Sequence, residues 1–244
     1  VEKKTYSKWG NINTSEIIIL AIHGYNDYSN SFKIPAEYLS KSNIFTFSFD
    51  LDGFGRNDNS SFWFPLSVHK QVIKEELLKL KKQYPKKKIF LLGESMGGAI
   101  ITSLMTNDRE LPIDGAVLVA PAMWNFSESN FFKSLFMSLI SKLFPNLKVS
   151  SKGWVEVQAS DNQEVLKELS KDKYFIHHPN LKSLNGIIEL MDESYKDAKK
   201  CFSQPSYNTL VVIPIKDEIV PRKPLIELLE ATKIKSYEFS SNFL

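Results

Sequence analysis

The sequence predicts an α/β protein: a mostly parallel sheet with flanking helices. Three observations predict it. Short continuous apolar runs alternate with stretches of helical periodicity, and each run ends in a loop rich in Gly, Asp or His. One run passes through Gly93-Glu94-Ser95-Met96-Gly97 straight into a second, helix-compatible apolar stretch. A strand covered by helices on both faces meets no water on either, so it reads as a solid apolar run rather than as an alternation.

In chain order, Ile17 to Ile22 is such a run, rich in β-branched residues. It ends in the turn-rich loop His23-Gly24-Tyr25-Asn26-Asp27. A short helix is expected around Phe32 to Leu39, capped by Ser29 to Ser31. Ile44 to Phe49 is a second strand, stopping at Asp50-Leu51-Asp52-Gly53-Phe54-Gly55-Arg56, where two glycines mark a tight reversal. Leu66 to Tyr84 places Leu66, Val68, Val72, Ile73, Leu77 and Leu80 close to one helical face, and Pro85 ends it. Gly115 to Pro121 and Thr209 to Pro214 are further buried strands. Residues 122–208 between them exceed what a crossover helix needs, so part of this interval is expected to stand above the sheet as an insertion. Its main feature is a helix with one broad apolar face, built from Phe131, Phe132, Leu135, Phe136, Leu139, Ile140, Leu143 and Phe144. Packing onto the core is the first expectation for that face; lining an acyl pocket or touching a membrane surface are the others.

Ser95 is the candidate nucleophile. Glycines two residues before and two after it let the backbone pass close to itself, so a serine can occupy a strained turn with its hydroxyl exposed. The helix that follows points unpaired N–H groups and its positive dipole end toward the place where an oxyanion would form. In parallel sheets, sites form beyond the carboxyl ends of the strands, so Ser95, the His23 loop, the Asp50 to Arg56 loop and the stretch after Pro214 should converge.

Composition bounds the alternatives. The chain has 244 residues, 43% apolar and 24% charged, enough for one sizeable core without disulfides. Its single cysteine, Cys201, excludes an intramolecular disulfide and a zinc-type cluster, which fits a reducing, cytoplasmic compartment. The net charge of +3 includes a dense patch of Lys79, Lys81, Lys82, Lys86, Lys87 and Lys88, expected as a solvated face at a helix C-terminus; no nucleic-acid partner is expected. No segment approaches the roughly 18 consecutive apolar residues of a membrane span. Gly53-Phe54-Gly55 lacks the extended glycine pattern and helix start of a dinucleotide site, and no metal or other cofactor is expected. The start at Val1 reads as a processed or trimmed product.

Taken together, Gly93-Glu94-Ser95-Met96-Gly97-Gly98, His23-Gly24 after the first strand, Asp50-Leu51-Asp52-Gly53-Phe54-Gly55-Arg56 after the second and Lys216-Asp217-Glu218-Ile219-Val220-Pro221 after a late one resemble an α/β-hydrolase. The likeness is to the monoacylglycerol lipase and lysophospholipase branch, of the S33 serine aminopeptidase type, and covers nearly the whole chain. It implies a core over 1–121 and 206–244 and a helical cap over 122–205, inserted after the family's sixth strand. It implies Ser95 as nucleophile, Asp217 as triad acid, and the backbone N–H groups of Met96 and Tyr25 as the oxyanion hole. The substrate it implies is a small lipid-like ester, with peripheral membrane contact through the cap. The pattern departs at Pro214, where glycine is common, and Glu218 stands as a substitute acid.

A serine hydroxyl needs a base, and in this fold the order is serine, acid, histidine. No histidine follows Asp217. His23 more often props its loop than touches a nucleophile, His69 begins a helix beyond a long loop, and the adjacent His177 and His178 point apart. Ile234 to Phe239 fits the strand before the expected histidine, and no closing helix is visible after it, so the expectation is of a chain shortened relative to an active parent. Two functions follow: a serine esterase, or a catalytically inactive homologue acting as a lipid-binding or interaction protein.

Overall fold

A computed structural model describes residues 4–149, 162–217, 219–232 and 234–239. Its elements run β1 (Tyr6–Trp9), β2 (Ile17–Ile22), α1 (Lys33–Ser40), β3 (Ile44–Phe49), α2 (Leu66–Gln83), β4 (Lys88–Glu94), α3 (Met96–Asn107), β5 (Gly115–Val119), α4 (Phe126–Ser129), α5 (Phe131–Leu143), α6 (Gln163–Leu169), α7 (Leu181–Ser203), β6 (Thr209–Pro214), α8 (Arg222–Glu230) and β7 (Lys235–Phe239). The seven strands form one sheet in the order β1-β3-β2-β4-β5-β6-β7, parallel except for β1. This is the mostly parallel α/β sheet that the strand and helix alternation predicts, and its form fits the α/β-hydrolase that the motif resemblance implies.

The solid apolar runs are central strands. Ile18, Leu20 and Ile22 of β2 and Ile89 and Leu91 of β4 are wholly buried. α3 is the most enclosed helix: every residue from Met96 to Met105 is buried. α7 packs along it, placing Leu190, Ala198 and Phe202 in the core. Small residues let the two axes approach, and Ser103 donates to the Ser194 hydroxyl across the contact at 3.2 Å. The second half of residues 122–208 therefore supplies a crossover helix between β5 and β6, while α4, α5 and α6 precede it.

Two expectations are corrected. Ser29 to Ser31 do not cap α1. They lie in a 3-10 turn over Ser29–Phe32, α1 has no side-chain cap, and the Ser29 hydroxyl instead donates to Asp50 Oδ1 at 2.6 Å. A buried carboxylate is a stronger acceptor to satisfy than a helix end in contact with water. The apolar face of α5 does not pack onto the core either. Phe132 is 83% exposed and Phe131 and Phe136 are each 63% exposed, with Leu135, Leu139, Leu143 and Phe144 also outward.

At the amino ends of β5 to β7, opposite the end that carries Ser95, the side chains of Phe90, Val117, Tyr207, Leu210 and Ile234 line a groove of about 370 Å³. Among the described residues no helix is long and apolar enough to cross a membrane.

Candidate active site

The chain leaves β2 for β3 on one side and returns with β4 on the other, so the carboxyl ends of β2 and β4 flank the point where strand order reverses. That is where an α/β sheet opens a crevice for ligands. The His23 loop leaves β2 here, and Ser95 leaves β4.

Ser95 has φ +50° and ψ −114°, a conformation that costs a side-chain-bearing residue about 1–3 kcal/mol. The surroundings over-determine it. Its N–H donates to the Val119 carbonyl at 2.9 Å, and its carbonyl accepts from Ala99 N at 3.1 Å and Ala122 N at 3.0 Å. Gly97 is required by contact: a Cβ there would lie 2.1 Å from the Ile22 carbonyl oxygen. The turn thus sits directly on the end of β2. Met96, wholly buried, opens α3, so its N–H belongs to the first turn, whose donors have no partner within the helix.

His23 is a structural group. Its Nε2 accepts the Leu51 N–H at 3.0 Å, which leaves the proton on Nδ1, and Nδ1–H donates to the Gly24 carbonyl at 2.8 Å. Both ring nitrogens are occupied, and burial pulls its pKa down to about 4. The Gly24 carbonyl and the Tyr25 N–H share one planar peptide, so this bond also orients the Tyr25 N–H. The Tyr25 ring lies edge-on to Phe54 and Trp63, and its hydroxyl is 2.6 Å from Ser183 Oγ on α7.

The second-strand loop is bound by charge. Asp50 Oδ2 accepts from Arg56 N at 2.8 Å and Nε at 2.9 Å, while Oδ1 accepts from Ser29. Burial alone would raise the Asp50 pKa, but these donors outweigh it and hold the carboxyl below its usual range. Asp217 follows β6 and accepts from Ile219 N and Val220 N, each at 2.9 Å, through one oxygen. Burial raises its pKa against those two bonds and Arg222. Glu218 lies outside the described residues. His69 is wholly buried beside Phe54 and Trp63, and His177 is exposed with Nε2 at 2.8 Å from the Asp172 carbonyl.

A comparison across protein families matches residues 13–242 to the family described as serine aminopeptidase, S33. The chain belongs to that family. In this S33 chain the resemblance to the monoacylglycerol lipase branch also holds. It is 26% identical over 184 residues to a monoglyceride lipase of Rattus norvegicus, a match covering 73% of the chain and 58% of the relative's length. The chain thus spans little more than half of that curated relative. Among solved structures, the monoacylglycerol lipase of Paleococcus ferrophilus superposes with a TM-score of 0.77 at 21% identity, covering 98% of this chain and 89% of that one. A soluble variant of the Saccharomyces cerevisiae monoglyceride lipase, solved with a substrate analogue, gives 0.75 at 16%, covering 97% and 83%. These two likenesses establish the fold.

The S33 site also contains two carboxyls that sequence reasoning did not single out. These are Glu94 and Asp27: burial, then Asp27, pushes Glu94 up to about 8 against the Gly24 N–H, with Asp217 adding to it. Burial also raises Asp27 to about 6, against the Tyr28 N–H and with Asp172 and Asp50 beyond. The only sequence signal for Glu94 was its place inside Gly-x-Ser-x-Gly; its surroundings depend on the loop after β2, brought to it by the register of Ile22 with Gly93.

Proposed function

We propose that this chain is a serine hydrolase of carboxylic esters with lipid-like acyl groups, of the monoacylglycerol or lysophospholipid type. The observation that carries the reading is the Ser95 turn: a strained, hydrogen-bonded serine at the sheet's switch point, opening a helix. In this reading Ser95 Oγ adds to the ester carbonyl carbon, and the oxyanion is met by the Met96 and Tyr25 N–H groups. Collapse expels the alcohol, which departs with the proton that Ser95 gave up, and water then cleaves acyl-Ser95 to the carboxylic acid and a free Ser95 hydroxyl. Asp217 is the triad acid. α5, within the expected cap, turns its large apolar side chains outward, and in this reading that face rests on a lipid surface that holds the substrate.

One observation favours a second reading, lipid binding without turnover. Both nitrogens of His23 are engaged, His69 is wholly buried, and His177 and His178 are exposed, so none of the four histidines is arranged as a base for Ser95. A fluorophosphonate probe decides between the two. Fast labelling of the 244-residue chain that is lost in Ser95→Ala is expected for the hydrolase. Labelling no faster than in Ser95→Ala would overturn it in favour of binding alone.

A further inference from the structure

We propose that two copies of this chain associate through one face of the sheet, the outward side of α1 in each copy packing on the bare strip over β4, β5, β6 and β7 of the other. The inference stands on sheet topology and exposure and is independent of the Ser95 reading.

The strip is bare because of handedness. The connection from β2 to β3 steps toward the β1 edge, whereas β3 to β4 and every later connection steps toward the β7 edge. Right-handed crossovers that step in opposite directions leave their helices on opposite faces. Among the described residues α1 is therefore the one crossover helix on its face, where it packs on β3 and β1. Ser29, in the turn that leads into α1, bonds Ser7, which pairs with Ser48; by register that face carries Thr46, Ile19 and Phe90.

Continuing across the sheet, Phe90, Leu92, Val117, Leu210, Val212 and Tyr237 share the α1 face, and Ile89, Leu91, Ala116, Leu118 and Val211 point the other way. The second set is buried throughout. None of the first set is: Leu210 is 37% exposed, Tyr237 is 62% exposed and the other four are partly exposed. Parallel sheets have both faces covered, so apolar side chains left to water here mark a surface that packs against something.

α1 supplies the complement. Ala36 faces its own sheet and is buried, while Ile34 and Tyr38, one turn apart on the opposite side, are 62% and 71% exposed. The sizes agree: four strands about 4.8 Å apart make a strip about 14 Å wide, and an eight-residue helix is about 12 Å long and about 10 Å across. The charges agree as well. Exposed Glu37 flanks the α1 stripe, and exposed Lys88 and Lys235 stand at the amino rim of the strip; none of the three has an ion pair among the described residues. Lys41, beside Glu37, is already set over the Tyr38 ring at 5.8 Å. A two-fold axis along the strand direction, midway between two facing sheets, carries α1 of each copy over the strip of the other. Both contacts then form together and the pair closes.

Sedimentation equilibrium of the 244-residue chain tests this. The average mass is expected to rise from one chain toward two between about 1 and about 100 μM. Fluorescence of anilinonaphthalene sulfonate per chain should fall over the same range as the strip is covered. Tyr38→Glu and Leu210→Lys should each weaken dimerisation about tenfold or more, since either puts an unpaired charge into both contacts. Both positions are exposed, so circular dichroism should show each variant folded. Combining the two in one chain should restore most of the wild-type affinity, because the new carboxylate on α1 then meets the new ammonium on the partner's strip. The mass of one chain throughout overturns the proposal and leaves the strip to a helix from another source, as does dye fluorescence per chain that holds constant. A dimer that either single variant leaves intact, or that the combined variant fails to recover, also overturns it, since pairing along the β7 edge or strip on strip behaves in those ways.

Discussion

At the residue scale the chemistry depends on groups held away from their relaxed states. Ser95 carries positive-φ strain that a glycine would not feel. Ser95→Gly is therefore expected to be more stable than Ser95→Ala by about 1 kcal/mol, measured by denaturant unfolding, because only glycine relieves the dihedral. Buried titrating groups pull the other way with pH. Burial lowers His69 to about 4, with His23 adding to the effect; the Phe64 carbonyl opposes it without making a well-formed bond. A histidine held neutral contributes stability that is complete above its unfolded value near 6.5 and is lost as pH falls toward 4. His69→Phe should accordingly gain thermal stability over the wild type as pH drops from 6.5 to 4. Glu94, raised to about 8, has the opposite sign: its neutral form favours the fold at low pH, and stability is lost as pH rises from 4.5 to 8. Glu94→Gln should gain on the wild type across that upper window. Equal pH slopes for variant and wild type would contradict either assignment.

At the element scale α5 and α7 have similar amphipathic patterns and opposite fates. α7 lays Leu190, Ala198 and Phe202 against α3, whereas α5 turns its large apolar side chains outward. Truncating Phe202 to alanine should cost about 3–5 kcal/mol, since the cavity left beside α3 cannot collapse. Phe132→Ser should change stability by less than about 0.5 kcal/mol, because little burial is lost. The same Phe132→Ser change, combined with Phe136→Ser, is expected to weaken sedimentation with phosphatidylcholine vesicles. Unaltered sedimentation would separate α5 from any lipid contact. The lysine patch has a local use as well: Lys79 pairs with Glu76 at 2.8 Å, and Lys81 donates to the Lys87 carbonyl at 3.2 Å, tying the end of α2 to the turn before β4.

At the scale of the whole molecule, the sheet's two ends differ. Its carboxyl end gathers Ser95, the His23 loop and Asp217, while its amino end opens the groove lined by Phe90, Val117, Tyr207, Leu210 and Ile234. Apolar surface of that kind in a folded chain binds anilinonaphthalene sulfonate below the unfolding transition. Leu210→Glu is expected to reduce that native-state fluorescence with little change elsewhere. Dye binding that appears only on unfolding would show the groove to be closed in solution.

The strand and helix alternation, the Ser95 turn and the loops that meet it were legible in the sequence because each depends on local chemistry: period, glycine spacing and the burial that a solid apolar run implies. Six of the seven strands followed from the same runs, whereas their order in the sheet came only from the structure, and the four-residue edge strand β1 escaped notice because Tyr6–Trp9 is short and half polar. What only the tertiary structure decided is pairing between distant residues. It turned Ser29 from a cap into a partner of Asp50, occupied both nitrogens of His23, and set Glu94 against Gly24. It also sent the apolar face of α5 outward. Periodicity tells which face of a helix is apolar, but the partner of that face is fixed by elements far away in the chain, and burial of a polar group depends on all of them together.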